Sequence, residues 1–129
     1  MDKITNQNKK NIVIIEDDPE LQKSLFAALS VDFNVFQAHE GEGGLRAVFD
    51  LKPDLIVLDL ILPKKSGFEV LEEIKGKQEF KEIPVIVLSN LEGRAEINRV
   101  MALGAKAYLI KAYYDLAEVV KIIKKEFDK

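Results

Sequence analysis

Four short apolar runs in this chain each end in a polar residue, and this pattern constrains the fold more than any other feature. The runs and the residues that follow them are 12–15 before Glu16 and Asp17, 55–58 before Asp59, 85–88 before Ser89, and 108–110 before Lys111. Apolar runs without polar alternation are typical of strands buried on both faces of a parallel sheet. Because open α/β sheets bind ligands at the carboxyl edge of their strands, the pattern predicts a site as well as a fold.

The stretches between the runs have the amphipathic period of helices, so strands and helices alternate along the chain. We predict strands at residues 11–15, 34–38, 54–58, 85–88 and 107–110. The second strand is interrupted by polar residues and the fifth is short, which places both at the edges of the sheet. The predicted fold is a doubly wound α/β domain with a five-stranded parallel sheet of order 2-1-3-4-5 and helices on both faces.

Several helix ends can be identified from capping residues. Asp18 precedes a proline, the arrangement of an N-cap before the first helical turn. Ser66 with Glu69 and Asp115 with Glu118 have the spacing of capping boxes. The last helix is expected to bury one face, formed by Leu116, Val119, Val120, Ile123 and Phe127.

Length and composition exclude several classes of protein. The 129 residues fit one domain, which we place at residues 11–129 after a disordered polar tail at residues 1–10. The net charge of −3 lacks the basic excess of a nucleic-acid-binding domain. The absence of cysteine excludes a disulfide framework and a thiolate metal site. With no signal peptide and no apolar stretch of membrane-spanning length, we expect a cytoplasmic protein.

The predicted strand order brings acidic residues together. The first and third strands are neighbours, so Asp17 and Asp59 face each other across the crevice where the winding reverses. Clustered carboxylates repel one another unless a cation or a proton neutralises them, and Mg²⁺ prefers oxygen ligands of this kind. We expect Asp17 to bind Mg²⁺ directly, Glu16 to bind it through water, and the backbone carbonyl of Ile61 to supply another oxygen.

The same edge carries the residue types that phosphoryl transfer requires. The carboxylate of Asp59 can accept a phosphoryl group as an aspartyl phosphate, and a metal neutralises charge on the transferring group. Ser89 can hydrogen-bond one phosphoryl oxygen and Lys111 can pair with another. Taken singly, Ser89 is an ordinary strand-end hydroxyl and Lys111 a lysine extending to water. The joint placement of the acids, Ser89 and Lys111 at four strand ends favours the phosphoryl-transfer interpretation.

The chain resembles the receiver domain of bacterial two-component response regulators. The resemblance extends from about residue 11 to residue 127 and rests on residues 14–19, residues 54–63 with Gly67, residues 87–89, and residues 104–111. It implies the flavodoxin-like receiver fold and two-component signal transduction. It also implies that Asp59 is phosphorylated by a histidine kinase or a histidine phosphotransfer protein. A receiver domain is no enzyme toward a separate substrate, because its chemistry is limited to its own phosphorylation and dephosphorylation.

The resemblance also implies a role for each candidate residue. Glu16 and Asp17 are the acidic pair of the Mg²⁺ site, Ser89 is the switch hydroxyl, and Lys111 is the phosphate-binding lysine. Tyr108 is at the position of the switch aromatic, which turns inward when the switch hydroxyl is drawn to the phosphoryl group. The face formed by the fourth helix, the fifth strand and the fifth helix is where the family binds its downstream protein partners.

Two positions depart from the family pattern. Ala112 follows Lys111, where the family usually has a proline after a cis peptide bond. A cis bond before alanine costs about 2.5–4 kcal/mol. The sequence therefore leaves open whether this bond is cis or trans, and with it the reach of Lys111. Asn90 follows Ser89, where the family often has a smaller residue.

Three alternatives remain open beside a single-domain response regulator without an output domain. A phosphorylation-independent interaction module of the same fold is favoured only by Ala112. An aspartate-nucleophile phosphatase commonly has a second aspartate two residues after the first, where this chain has Ile61. A flavin-binding electron carrier shares the sheet order, but the acids after the first strand would repel an FMN phosphate.

Overall fold

The structure, a computed structural model, describes residues 8–128. Within this part of the chain, strands and helices alternate as predicted, with one 3₁₀ turn before the last helix. The strands are β1 (Lys10–Ile15), β2 (Phe33–Ala38), β3 (Leu55–Leu58), β4 (Val85–Ser89) and β5 (Ala107–Ile110). The helices are α1 (Pro19–Leu29), α2 (Gly41–Leu51), α3 (Gly67–Lys75), α4 (Arg94–Ala102), the 3₁₀ turn η1 (Lys111–Tyr113) and α5 (Leu116–Lys125).

The predicted strands agree with the structure to within one residue at each end. Lys10 already belongs to β1, one residue before the predicted start of the domain. The rest of the predicted tail lies largely outside the described residues, since residues 1–7 are not among them. No helix within residues 8–128 has the length and apolar character needed to cross a membrane.

The five strands form one parallel sheet of order β2-β1-β3-β4-β5, which confirms the prediction. Successive side chains of a strand point to opposite faces, so the apolar runs supply two cores at once. In β1, Ile12 and Ile14 pack with residues of α1 and α5, while Val13 and Ile15 pack with residues of α2, α3 and α4. The sheet is therefore covered by helices on both faces.

The predicted helix caps are present. The side chain of Asp18 accepts from the backbone N–H of Glu20 at 3.0 Å. Capping boxes begin α3 at Ser66 and α5 at Asp115. These caps satisfy the first N–H groups of helices that begin at the carboxyl edge of the sheet.

One predicted core position is wrong. Leu116 is 38% exposed, whereas Val119 and Ile123 on the same helix are buried. Leu116 is the first residue of α5, and β5 has already ended at Ile110, so the sheet does not extend beneath the first turn of the helix.

Candidate functional site

The register of the sheet places Glu16 beside Asp59. Ile15 pairs with Leu58 across β1 and β3, so the next residue of each strand leaves the sheet as a neighbour of the other. Glu16 and Asp59 are buried, with 2% and 4% of their surfaces exposed, whereas Asp17 is exposed. One carboxylate oxygen from each of the three acids lies within 4.8 Å of the others. The predicted acidic cluster is therefore formed, and its oxygen ligands fit a hard divalent cation.

Lys111 joins the two buried acids. Its Nζ atom lies 2.9 Å from Asp59 Oδ2 and 2.9 Å from Glu16 Oε1. Burial opposes the charged ammonium, but the hydrogen bonds to Glu16 and Asp59 outweigh it and raise the pKa of Lys111 above its usual value. The peptide bond to Ala112 is trans. The departure at Ala112 therefore leaves the reach of Lys111 intact.

Glu16 holds a proton more tightly than an ordinary glutamate. Burial raises its pKa to about 7, and the negative charge of Asp59 adds to that effect. The hydrogen bonds from Lys111 and from the backbone N–H of Asp18, which lies 2.9 Å from Glu16 Oε2, act in the opposite direction. Burial dominates because removing the Glu16 carboxylate from water disfavours its charged form more than these hydrogen bonds favour it.

The Ser89 hydroxyl is buried next to this cluster. Ser89 is the last residue of β4 and pairs with Ile110, so Lys111 follows directly beside it. Its side chain is 0% exposed, and within residues 8–128 its Oγ atom has no hydrogen-bond partner. Buried polar atoms nearly always have a partner, so an unpaired hydroxyl at the end of the strand next to Asp59 is suited to an incoming ligand oxygen.

The structure also places the remaining candidates. Tyr108 is half-buried, and its hydroxyl donates to the carbonyl of Leu91 at 2.6 Å. The backbone N–H of Ile61 donates to Asp59 Oδ1 at 3.2 Å, and the Ile61 side chain is 55% exposed. Asn90 is exposed. The switch role of Tyr108 and the metal-binding role of the Ile61 carbonyl stay predictions.

Sequence reasoning missed one residue of this region, Gln22 on α1. It is buried, and its amide donates to the backbone carbonyl of Glu16 at 3.1 Å. The signal was present in the sequence, because Gln22 lies on the same helix face as Leu25 and Leu29. A glutamine in a buried apolar stripe requires hydrogen-bond partners and indicates a structural or functional role.

A doubly wound parallel sheet with three clustered acids, a lysine and a buried hydroxyl at its carboxyl edge is a site suited to a divalent cation and a phosphoryl group. Residues 12–124 match the family described as the response regulator receiver domain. The chain therefore belongs to this family. Domains of the family accept phosphoryl groups from histidine kinases in two-component signalling.

Relatives and solved structures agree with this assignment. The chain is 38% identical over 115 residues to response regulator RR06 of Streptococcus pneumoniae serotype 2, covering 88% of this chain and 51% of that protein. It is 33% identical to the phosphorylated cyanobacterial phytochrome response regulator RcpA, with a TM-score of 0.77 and coverage of 91% and 90%. The Mn²⁺-bound response regulator Rcp1 is 28% identical, with a TM-score of 0.77 and 90% of each chain covered. The chain spans about half the length, or less, of the curated relatives it matches.

Proposed function

We propose that Asp59 accepts a phosphoryl group in a Mg²⁺-dependent reaction, from a phosphohistidine on a sensor histidine kinase or a histidine phosphotransfer protein. The observation that carries this proposal is the position of Lys111, whose ammonium lies 2.9 Å from Asp59. Lys111 follows the residue that pairs with Ser89, whose buried hydroxyl has no hydrogen-bond partner within residues 8–128. A carboxylate paired with a fixed cation, with a buried hydroxyl donor at the end of the neighbouring strand, is suited to binding a phosphoryl group.

The proposed reaction transfers the phosphoryl group directly from the donor histidine to Asp59. A carboxylate oxygen of Asp59 attacks phosphorus while the phosphorus–nitrogen bond to the donor histidine breaks, and the released imidazole nitrogen takes a proton from water. Lys111 pairs with one phosphoryl oxygen and the Ser89 hydroxyl donates to another. A bound Mg²⁺ would supply charge neutralisation on the transferring group. The carboxylates of Glu16, Asp17 and Asp59 would hold it, together with the carbonyl of Ile61.

Phosphorylation is proposed to switch a protein-binding surface. A phosphoryl oxygen gives the Ser89 hydroxyl a partner, which draws β4 and the following loop toward Asp59. The Tyr108 side chain then moves into the space that the loop leaves, and the face formed by α4, β5 and α5 changes shape for a downstream protein. The chain is proposed to catalyse only its own phosphorylation and dephosphorylation, and the cytoplasmic location stays a prediction.

The phosphorylation-independent module keeps little support. Ala112 was the feature that favoured it, and the trans peptide bond there leaves Lys111 in contact with Asp59. Aspartate-nucleophile phosphatases commonly have a second acid at the position where the chain has the exposed, apolar Ile61. We therefore keep phosphoryl acceptance on Asp59 as the function that the geometry supports best.

Phosphorylation can be tested by intact mass. The protein is incubated with acetyl phosphate and Mg²⁺, and we expect one added phosphoryl group in the wild type and none in Asp59→Asn or with a chelator. Asp54→Asn is the matched control, because this acid lies at the opposite end of β3 and accepts from the backbone N–H of Asn11 at 2.8 Å. It should be phosphorylated like the wild type.

The outcome that contradicts the proposal is equally specific. If neither acetyl phosphate nor phosphorylated histidine kinases add a phosphoryl group to the folded wild type, Asp59 is not an acceptor. A phosphorylation-independent interaction module then becomes the better interpretation.

A further inference from the structure

Gln22 bonds to three backbone carbonyls from inside the apolar face of α1. It is 1% exposed. Its Nε2 group donates to the carbonyls of Ile14 at 3.1 Å, Glu16 at 3.1 Å and Ala38 at 2.8 Å. An amide nitrogen carries two hydrogens, so both are used and one of them is shared between two of the three carbonyls. The side chain is therefore a structural tie between β1, β2 and the segment that follows β1.

These carbonyls lie around the end of β1, where the chain leaves the sheet and enters the acidic cluster at Glu16. The last register pair between β1 and β2 is Ile15 with Ala38, and Glu16 lies one residue beyond it. The Ala38 carbonyl also accepts from the backbone N–H of Glu16 at 3.0 Å. Gln22 thus holds the carbonyl of Glu16 directly and its N–H through a shared acceptor, which fixes the peptide groups on both sides of Glu16.

Gln37 on the edge strand β2 orients the Gln22 amide. Its Nε2 group donates to Gln22 Oε1 at 3.1 Å and to the Gln22 backbone carbonyl at 3.0 Å. Because Gln37 holds the oxygen of the amide, the nitrogen is directed at the three carbonyls. Gln37 is itself exposed, so its side chain can be changed without opening the core.

We propose that Gln22, oriented by Gln37, is a positioning residue of the divalent-cation site. It holds the backbone of Glu16 and Asp17 so that their carboxylates face Asp59, without touching the cation or the phosphoryl group. The acidic pair occupies the two residues between the end of β1 and the N-cap of α1, so a rotation of these peptide groups moves both carboxylates. The inference rests on the proposed Mg²⁺-dependent function, because it names what positions the ligands of that site.

The test is a Mg²⁺ titration followed by NMR chemical shifts, without any phosphodonor. Gln22→Met keeps the length of the side chain and removes the amide, and we expect its Mg²⁺ affinity to fall about 10-fold, the lower end of what such supporting contacts contribute. Gln37→Met removes only the orienting donor and should weaken binding in the same direction by a smaller factor. Asp59→Asn serves as the variant that loses a ligand itself.

Asn34→Leu is the matched control for a merely structural role. Asn34 is a buried amide on β2 at the opposite end of the sheet, where its Nδ2 donates to Asn11 Oδ1 at 2.8 Å. Its loss should lower the free energy of unfolding but leave the Mg²⁺ affinity unchanged. Backbone amide exchange provides a second readout, and Gln22→Met should accelerate exchange at residues 16–18 whereas Asn34→Leu should not.

The outcomes separate this inference from the proposed function. Equal Mg²⁺ affinity in the wild type, Gln22→Met and Gln37→Met would overturn the positioning role and leave the cation site standing. A wild type that binds no Mg²⁺ would overturn both. An equal loss of affinity in Asn34→Leu would show a global effect and also overturn the positioning role. If Gln22→Met does not fold, Gln37→Met decides, and unchanged affinity in that variant counts against the proposal.

Discussion

The hydroxyl of Tyr108 donates a 2.6 Å hydrogen bond to the carbonyl of Leu91 and thereby ties β5 to the loop between β4 and α4. This loop begins directly after Ser89, so the tie connects the proposed switch aromatic to the proposed switch hydroxyl. A second tyrosine, Tyr113, bonds to Glu92 Oε1 of the same loop at 3.1 Å from an exposed position. The loop is thus held from β5 and from η1 in this conformation.

Tyr108→Phe should release the loop. Removing a half-buried hydrogen bond is expected to lower the free energy of unfolding by about 1 kcal/mol, and amide exchange at residues 90–93 should accelerate. Urea denaturation and hydrogen exchange measure the two effects. Tyr113→Phe is the control, because its bond is exposed to water and should contribute far less. Equal exchange rates in Tyr108→Phe and the wild type would contradict the role of this tie.

Lys111→Met should destabilise the protein strongly when Mg²⁺ is absent. The substitution leaves Glu16 and Asp59 facing each other without a cation, and breaking a buried ion pair from one side costs about 3 kcal/mol. Lys124→Met is matched in chemistry, since Lys124 pairs with Asp32 at 3.0 Å on the surface. Exposed pairs contribute about 1 kcal/mol or less. If denaturation shows the same loss in the free energy of unfolding for both variants, the buried pairing of Lys111 contributes no more to stability than an exposed ion pair.

Glu16 should make the metal-free protein less stable as the pH rises. Its pKa is about 7 in the folded protein against an ordinary value of 4.5, so the folded state keeps a proton that the unfolded chain releases. The resulting stabilisation is complete below about pH 4.5 and is lost as the pH rises through about 7. Urea denaturation between pH 5 and pH 8 should show this decline, and Glu16→Gln should remove the part of it that comes from Glu16.

Mg²⁺ binding should have the opposite pH dependence. A carboxylate must lose its proton to bind a cation, so the affinity should rise about 10-fold between pH 6 and pH 8 if one group with a pKa near 7 controls it. An identical rise in Glu16→Gln would show that another group is responsible.

Gly67→Ala should disturb the acceptor residue. A Cβ atom at this position would lie 2.2 Å from the backbone carbonyl oxygen of Asp59 and 2.5 Å from Leu60 Cα, so the backbone around Asp59 must shift. We expect a loss of about 2 kcal/mol in the free energy of unfolding and slower phosphorylation. Gly43→Ala on α2 is the control, because its nearest neighbour is the flexible end of Glu40 at 3.2 Å. Alanine there should be neutral or stabilising by up to about 1 kcal/mol.

Ile61 should slow the hydrolysis of the phosphorylated protein. Its side chain is exposed beside Asp59 and offers no polar atom to orient an attacking water. Ile61→Asn is therefore expected to shorten the lifetime of the aspartyl phosphate, measured by the decay of the phosphorylated mass. Asn90→Ala tests in the same way whether the residue after Ser89 affects the access of water to the aspartyl phosphate. Unchanged decay in both variants would rule out this explanation of the lifetime.

The strands and most of the candidate site could be predicted from local patterns. The apolar run before Asp59 is buried on both faces in the structure, as its composition indicates. The two edge strands fit the doubly wound template of order 2-1-3-4-5, and this template places Asp17 and Asp59 together. These properties depend on neighbouring residues and on the general rules of parallel sheets, so they can be inferred without coordinates.

Contacts between distant residues could not be predicted in this way. The sequence left the peptide bond after Lys111 undetermined, whereas the structure has a trans bond there and places the ammonium between two acids. Sequence reasoning also missed Gln22, whose partners come from β1 and β2 and are identified only by the register of the sheet. Hydrogen bonds and pKa shifts depend on distances of a few ångströms between separate elements.

The sequence by itself therefore determined which residue types gather at the carboxyl edge, because strand burial and alternation follow from local composition. Only the tertiary structure decided how they interact. It gave Glu16 a pKa near 7, shared one lysine between Glu16 and Asp59, and left the Ser89 hydroxyl without a partner in the described residues. The physical reason is that charge interactions and desolvation depend on three-dimensional proximity, which spacing along the chain does not specify.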